Sequence, residues 1–335
     1  MNQNTRKIIP VLSLFLLSFA LFTSAKQINL SQFKTDIKNQ QSNTLSAIHN
    51  IYQLDLENSS DDDWVKFHQE SDMELYYQKD HDKKDGRIIE PIALFYEIDG
   101  VSAFEVANVF HGLEHKKEVD RNILKFDFKI VDRNENGDLN ENDVTDEGST
   151  MIMNQFMDTI WPASNREAYY LSNMDKISPE DDNINLGTKN NCVLDTWIVN
   201  NFSLDDSTHF FEKFEKSSVR VELTISLLVQ TIVKNTYPPD CPQQSQISNL
   251  SRDQFKTKVT YISRVDPGGW VPAGILKSIY KDEYPAFLYS LNTLVKDAID
   301  GHDQVNMSFE DWEMMMENKL QVGTRNDEEK NSWWG

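Results

Sequence analysis

The stretch KVTYISRVDPGGWVPAGILKSIYKDEYPAFLYSLNTLVKDA, Lys258 to Ala298, decides the fold. Its first part, Val259 to Val265, is short and β-branched and reads as a strand. Asp266-Pro267-Gly268-Gly269 then forces a sharp turn, with Trp270 at its tip. Pro272 stands where a first helical turn tolerates proline. From Ile275 onward Leu276, Ile279, Tyr280, Tyr284, Phe287, Leu288, Leu291, Leu294, Val295 and Ala298 recur at intervals of three and four, over about six turns. A stripe that wide must lie on a large apolar surface. Pro285 falls inside it and is expected to kink or split the helix, unless the register absorbs the lost hydrogen bond.

Upstream, Ser217 to Lys234 alternates, with Val219, Val221, Leu223, Ile225, Leu227 and Val229 on one face. Cys192 to Leu204 and Arg166 to Leu171 read as further strands, separated by an acidic, Asn-rich loop. Leu124 to Val131, Ser149 to Met157, Met73 to Gln78 and Ile88 to Ile98 add four more. Val101 to Phe110 reads as a short helix, and Asp82 to Gly86 as a charged turn. Ser59-Ser60-Asp61-Asp62 reads as the cap of a helix running through Trp64 and Phe67. Residues 26–60 hold another helix, with Phe33, Ile37, Leu45, Ile48, Ile51 and Leu54 as its apolar positions. Tyr237 to Ser251 is a Pro-, Gln- and Ser-rich loop. Beyond the long helix, Phe309 to Leu320 has a small amphipathic pattern, and Thr324 to Gly335 is charged and reads as disordered.

Two motifs suggest metals. His111-Gly112-Leu113-Glu114-His115 matches the H-x-x-E-H zinc-hydrolase pattern, in which two imidazoles share a helix face and the glutamate acts as base. Gly112 weakens such a helix, and the alternative is a solvated helix end. Asp132 to Asp143, DRNENGDLNEND, follows the calcium-loop pattern. Asp132, Asn134, Asn136 and Asp138 hold its first four ligand positions, Gly137 the turn, and Asp143 the last place. Asp143 replaces the usual bidentate glutamate, and the flanks read as strands. The alternative is an acidic hairpin loop. No other cofactor is implied: there is no phosphate-cradling glycine loop and no G-x-S-x-G.

The chain of 335 residues carries a net charge of −21 and is 39% hydrophobic. That acidity repels phosphate backbones and speaks against nucleic-acid partners. It leaves membrane contact to local apolar tips. Arg6-Lys7, an apolar run from Ile8 to Phe22, and Thr23-Ser24-Ala25 have the layout of a secretory signal over residues 1–25. The run is short for a membrane span of about 20 residues, though an uncleaved anchor through 8–22 is the alternative. Without residues 1–25, which hold two basic residues and no acid, the charge is −23. Cys192 and Cys241 fall at the open end of a hairpin if the two strands between them pair, and a secreted chain would allow a disulfide there.

Three ordered blocks, WPASNREAYYLS (Trp161 to Ser172), DTWIVNNFSLD (Asp195 to Asp205) and VTYISRVDPGGWVP (Val259 to Pro272), resemble the steroidogenic-acute-regulatory-related lipid-transfer (START) family, most of all its ceramide-transferring kind. The match runs over roughly Trp64 to Ala298. The resemblance implies an α+β helix-grip fold: a curved antiparallel sheet holding a long C-terminal helix, with a lipid tunnel between them. It divides the chain into a helical segment at 26–60, a lipid-binding domain at 61–299 and an extension at 300–335. It implies a monomeric, non-enzymatic lipid carrier for a ceramide-like lipid, a sterol or a phospholipid, touching membranes transiently. A calcium-regulated lipid sensor using the 132–143 loop, and a zinc hydrolase on His111, Glu114 and His115, are the alternatives.

By position, the resemblance puts Asp120, Gln155, Asn201 and Tyr261 at the polar end of the tunnel. Lys116 stands where the family has arginine, Val119 where it has tryptophan, and Asp120 where it has glutamate. Those departures would move the polar end and change which head group fits. Trp161 and Trp270 match two exposed tryptophans at the tunnel mouth, suited to a membrane interface. One conflict is local. Asn201-Phe202-Ser203 is a glycosylation sequon on a tunnel residue, while Asn29, Asn58, Asn249 and Asn306 lie in sequons elsewhere.

Overall fold

The computed structural model describes residues 30–56, 64–70, 73–78, 83–84, 87–113, 116–133, 139–140, 148–158, 164–177, 192–204, 211–234, 250–269 and 273–300. Helix α1 (Leu30–Leu56) leads into strands β1 (Trp64–Glu70), β2 (Met73–Gln78), β3 (Lys83–Lys84), β4 (Arg87–Ile88) and β5 (Ile92–Asp99). Helices α2 (Ala103–His111) and α3 (Lys116–Val119) follow. Then come β6 (Ile123–Arg133), β7 (Leu139–Asn140), β8 (Gly148–Met157), β9 (Arg166–Lys176), β10 (Val193–Ser203), β11 (Val219–Val233), β12 (Phe255–Asp266) and α4 (Ala273–Asp300). Ten strands form one sheet in the order β1-β2-β5-β12-β11-β10-β9-β8-β6-β7, while β3 and β4 form a separate hairpin.

The period-two pattern sorts residues onto two buried faces. On one face Trp197, Val199, Leu227, Val229, Val259 and Tyr261 pack against Phe104, Ala107 and Phe110 of α2 and Leu288, Leu291 and Val295 of α4. On the other, Ile198 and Leu228 meet Ile48 of α1, and Ile152 and Leu171 meet Ile37. The sheet is therefore covered on both sides, with the long C-terminal helix against the face that also carries α2. Pro285 does not split α4, which runs unbroken through it. Among the described residues no helix is long and apolar enough to cross a membrane.

Helix α2 is fixed hard at its start. Ser102 Oγ accepts from the Glu105 N–H, and Glu105 Oε2 accepts from the Ser102 N–H at 2.6 Å, a reciprocal cap. Arg252 then donates to both Glu105 oxygens, at 3.2 and 2.9 Å. Burial lifts the Glu105 carboxyl above its ordinary pKa even though the Arg252 guanidinium pulls the other way.

Two expectations are corrected here. Trp64 to Phe67 is not a capped helix but the start of β1, paired antiparallel with β2 and bent by a register shift between Lys66 and His68. Trp, Val and Phe favour the pleated surface β2 provides, and Phe67 stacks edge-on to Tyr77 with centroids 5.8 Å apart. The strand read over Ile88 to Ile98 is broken. Pro91 has no N–H to pair, and its carbonyl instead accepts from the Gln78 N–H at 2.9 Å, so β5 starts at Ile92.

Candidate functional site

A cavity of about 190 Å³ lies between the sheet and α4. Lys116, Asp120, Gln155, Asn201 and Tyr261, drawn from α3, the turn after it, β8, β10 and β12, all line it. Strand register explains the convergence. Asn201 stands opposite Ser172 of β9 and Ile225 of β11, while Tyr261 lies opposite Leu227, two residues along the same face. Phe110, Leu223, Ile225 and Phe287 supply apolar wall.

The polar groups differ in how far they are already satisfied. Lys116 Nζ donates to the Phe110 carbonyl at 3.2 Å and lies 5.5 Å from the Phe110 ring centre. Burial lowers its pKa to about 8, against the pull of Asp120. Asp120 Oδ1 accepts from the Asn122 N–H at 3.0 Å, and burial still holds its carboxyl above the usual range. Glu283, which also lines the cavity, pushes the same way, while Lys116 opposes it. Burial raises the Tyr170 and Tyr261 phenols and pushes Tyr284 up to about 12, so all three stay protonated at neutral pH. Tyr284 shares a short hydrogen bond with Ser263. Asn201 is 4% exposed, and its Oδ1 has no hydrogen-bond partner among the described residues. A buried acceptor in that state costs free energy unless something donates to it.

Sequence reasoning missed Tyr170, Glu283 and Tyr284 as lining residues. Tyr170 lies two residues before Ser172, hence on the Asn201 side of β9, and strand periodicity could have found it. Tyr284 reads in sequence as part of the apolar stripe, and nothing in the sequence pattern singles out Glu283.

Other candidates are placed less fully. His111 is buried with Nδ1 3.0 Å from Ser172 Oγ, and its pKa falls to about 3 through burial and then Lys116. Helix α2 ends at His111, so the H-x-x-E-H spacing does not lie on one helical turn; Glu114 and His115 lie outside the described residues. Among the described residues no His, Cys, Asp and Glu cluster is arranged to hold a metal ion. Asp132 pairs with Asn140 and Arg133 with Leu139 across β6 and β7. Asn134, Asn136, Asp138 and Asp143, like Trp161 and Trp270, lie outside the described residues. Cys192 is disulfide-bonded, and its carbonyl accepts from the Val233 N–H at 3.0 Å. Cys241, the other cysteine of the chain, lies outside the described residues.

The sequence pattern of the START domain matches residues 50–296. The chain belongs to the START domain family. This START domain is 28% identical to the ceramide transfer protein of Mus musculus over 280 residues, covering 83% of this chain and 39% of that one. It is 27% identical to the ceramide transfer protein of Homo sapiens, with the same coverage. The chain thus spans about two fifths of the length of the curated relatives it matches. Among solved structures it is similar to human STARD10, with a TM-score of 0.48 and 15% identity over 75% of this chain and 79% of that one.

Proposed function

We propose that this START domain is a non-enzymatic carrier that takes up one ceramide-like lipid, head group first, and exchanges it between membranes. The observation that carries the reading is the unpartnered, buried Asn201 Oδ1 in a cavity shared with Gln155, Asp120 and Tyr261. A ceramide head offers an amide N–H and hydroxyls, which are donors for Asn201 and Asp120, and a carbonyl for a phenol. Asp120 and Glu283 outnumber Lys116, and Lys116 is already engaged with the Phe110 carbonyl. That balance supports an uncharged head over a phosphate-bearing one. The family membership and the ceramide transfer proteins it resembles support the same class of ligand.

At about 190 Å³ the cavity is below the usual ligand-pocket range of about 300–1,000 Å³, so it suits a head group and must widen to admit chains. Trp161 and Trp270 serve as the membrane contacts in this reading. The signal-like leader and the bonded Cys192 support a secretory setting.

The test is extraction of ceramide from vesicles by Asn201→Ala and Gln155→Ala. Each removes a partner from a buried hydroxyl or amide and is expected to weaken binding by about 1–3 kcal/mol, with melting temperature little changed. A well-folded double variant that transfers ceramide at the wild-type rate would sink the assignment.

A further inference from the structure

The polar end of the cavity is rich in acceptors and short of donors. Asn201 lines it, 4% exposed, and its Oδ1 has no hydrogen-bond partner among the described residues. Asp120 and Glu283 add two carboxyl groups, one from the turn after α3 and one from the first half of α4. Asn122 ties them together: its N–H donates to Asp120 Oδ1 at 3.0 Å, and its Nδ2 donates to Glu283 Oε2 at 3.5 Å. The charge on Glu283 opposes ionisation of Asp120, so holding the two this close costs free energy that a bound cation would offset. Lys116 answers one of them at most. It is buried, and its Nζ donates to the Phe110 carbonyl at 3.2 Å. Glu283 forms no ion pair among the described residues. A metal ion fits poorly, because among the described residues no three His, Cys, Asp or Glu side chains are grouped to hold one. A cation that brings its own N–H groups fits better: a primary ammonium carries three donors and no acceptor. Asn122 and Glu283 are exposed where they line the cavity, so this end reaches solvent and an ammonium there keeps part of its hydration.

We propose that the cavity also binds a single-chain amphiphile whose head joins a primary ammonium to hydroxyl groups, the ammonium between Asp120 and Glu283 and a hydroxyl donating to Asn201 Oδ1. This goes beyond the ceramide reading, in which the ligand nitrogen is an uncharged amide, and rests on it only for the cavity as a lipid head-group site. Glu283 is then the residue that selects for charge on the nitrogen. At about 190 Å³ the cavity has to widen less for one chain than for two.

The experiment measures, by titration calorimetry, the affinity of a medium-chain 2-amino-1,3-diol and of its N-acetyl derivative, both below their aggregation concentrations. The two share chain and hydroxyls and differ in the charge on nitrogen at neutral pH. Wild type should bind the amine about tenfold more tightly than the N-acetyl form, and Glu283→Gln should lower that preference to about twofold. Asp282 is the exposed neighbour of Glu283 that does not line the cavity. Asp282→Asn removes the same charge from the acidic surface but not from the site, and should leave the preference within about twofold of wild type. Equal binding of the two lipids by wild type overturns the ammonium site and leaves the carrier reading standing. A preference that survives Glu283→Gln, or that Asp282→Asn lowers as much, overturns it too, the latter because the general acidic field would then be the cause. If neither lipid binds, the reading of the cavity as a lipid head-group site falls, and the ammonium site with it.

Discussion

Ser172 Oγ and His111 Nδ1 meet at 3.0 Å, both side chains buried, directly across the strands from Asn201. The imidazole is held neutral there, with its pKa near 3. An unfolded chain would protonate it near 6.5. As pH falls through that value the unfolded state gains a proton that the folded state refuses, so stability present above about pH 6.5 is lost progressively towards pH 3. The full span amounts to up to about 5 kcal/mol. Urea unfolding at pH 7, 6 and 5 should show His111→Asn losing less stability than wild type over that interval. Parallel loss in the two proteins would place the acid-sensitive proton elsewhere.

Lys116 gives a second window, at higher pH and of the same sign. Its pKa drops from 10.5 to about 8 in the fold, so below pH 8 it is charged in both states and the full burial cost is present. As pH rises from about 8 to 10.5 the folded state releases its proton first, and that cost disappears. Lys116→Met should therefore stabilise the protein at pH 7, by about 1–3 kcal/mol after the lost bond to the Phe110 carbonyl is discounted, and by much less at pH 10. Denaturant midpoints of both proteins at the two pH values test this. A constant difference would mean the ammonium is solvated rather than buried.

The strands were legible from β-branched and alternating runs, whereas Gln155, Asn201 and Tyr261 were named by position from the family resemblance, and all three line the cavity. The second half of β9, Ser172 to Lys176, was not legible, for a physical reason. Its residues are polar yet buried: Ser172 and Asn173 are fully covered, and Asp175 nearly so. They belong to a row that crosses the sheet, with Thr150 opposite Asn173, Asn173 opposite Asn200, and Asn200 opposite Ser226. Asn173 donates to Thr150 Oγ1 at 2.9 Å, Ser226 to Asn200 Oδ1 at 2.6 Å, and Thr44 of α1 closes on Ser226 at 2.7 Å. Hydropathy sees such a strand as loop because side-chain hydrogen bonds take the place of apolar contact, although Asn173 Oδ1 and Asn200 Nδ2 have no hydrogen-bond partner among the described residues. β1 was missed because the Ser-Asp run before it mimics a helix cap, while its stability comes from β2, which lies downstream in sequence.

Calcium is tested most simply on stability. The β6–β7 pairing lies within the Asp132 to Asp143 pattern, with Asp132 opposite Asn140. At a hundredfold excess over its dissociation constant, calcium adds about 2.7 kcal/mol to a chain that binds it only when folded. If the loop is a calcium site, millimolar calcium raises the melting temperature by several degrees, and Asp132→Ala with Asp138→Ala abolishes the rise. A wild-type melting temperature indifferent to calcium ends the idea before either variant is made.

Pro285 is itself buried in α4. Downstream, Leu288, Leu291 and Val295 are buried; upstream, Ile279, Tyr280 and Tyr284 are half-buried. Pro285 offers no N–H to the Lys281 carbonyl, and an interior proline costs a helix about 3 kcal/mol relative to alanine. Pro285→Ala restores the donor but loses two buried methylenes, worth about 0.8 kcal/mol each. The variant should therefore gain about 1 kcal/mol, visible as a melting temperature higher by about 2–4 °C. Glu283, Tyr284 and Phe287 flank the proline and line the cavity, which must widen to admit lipid chains. Stiffening the helix at this point is expected to slow ceramide uptake while leaving equilibrium affinity within a few-fold. Scanning calorimetry and stopped-flow uptake separate the two effects. A lower melting temperature would mean that the proline ring's packing outweighs the missing bond. Unchanged uptake in a stabilised variant would mean that the cavity widens without bending α4.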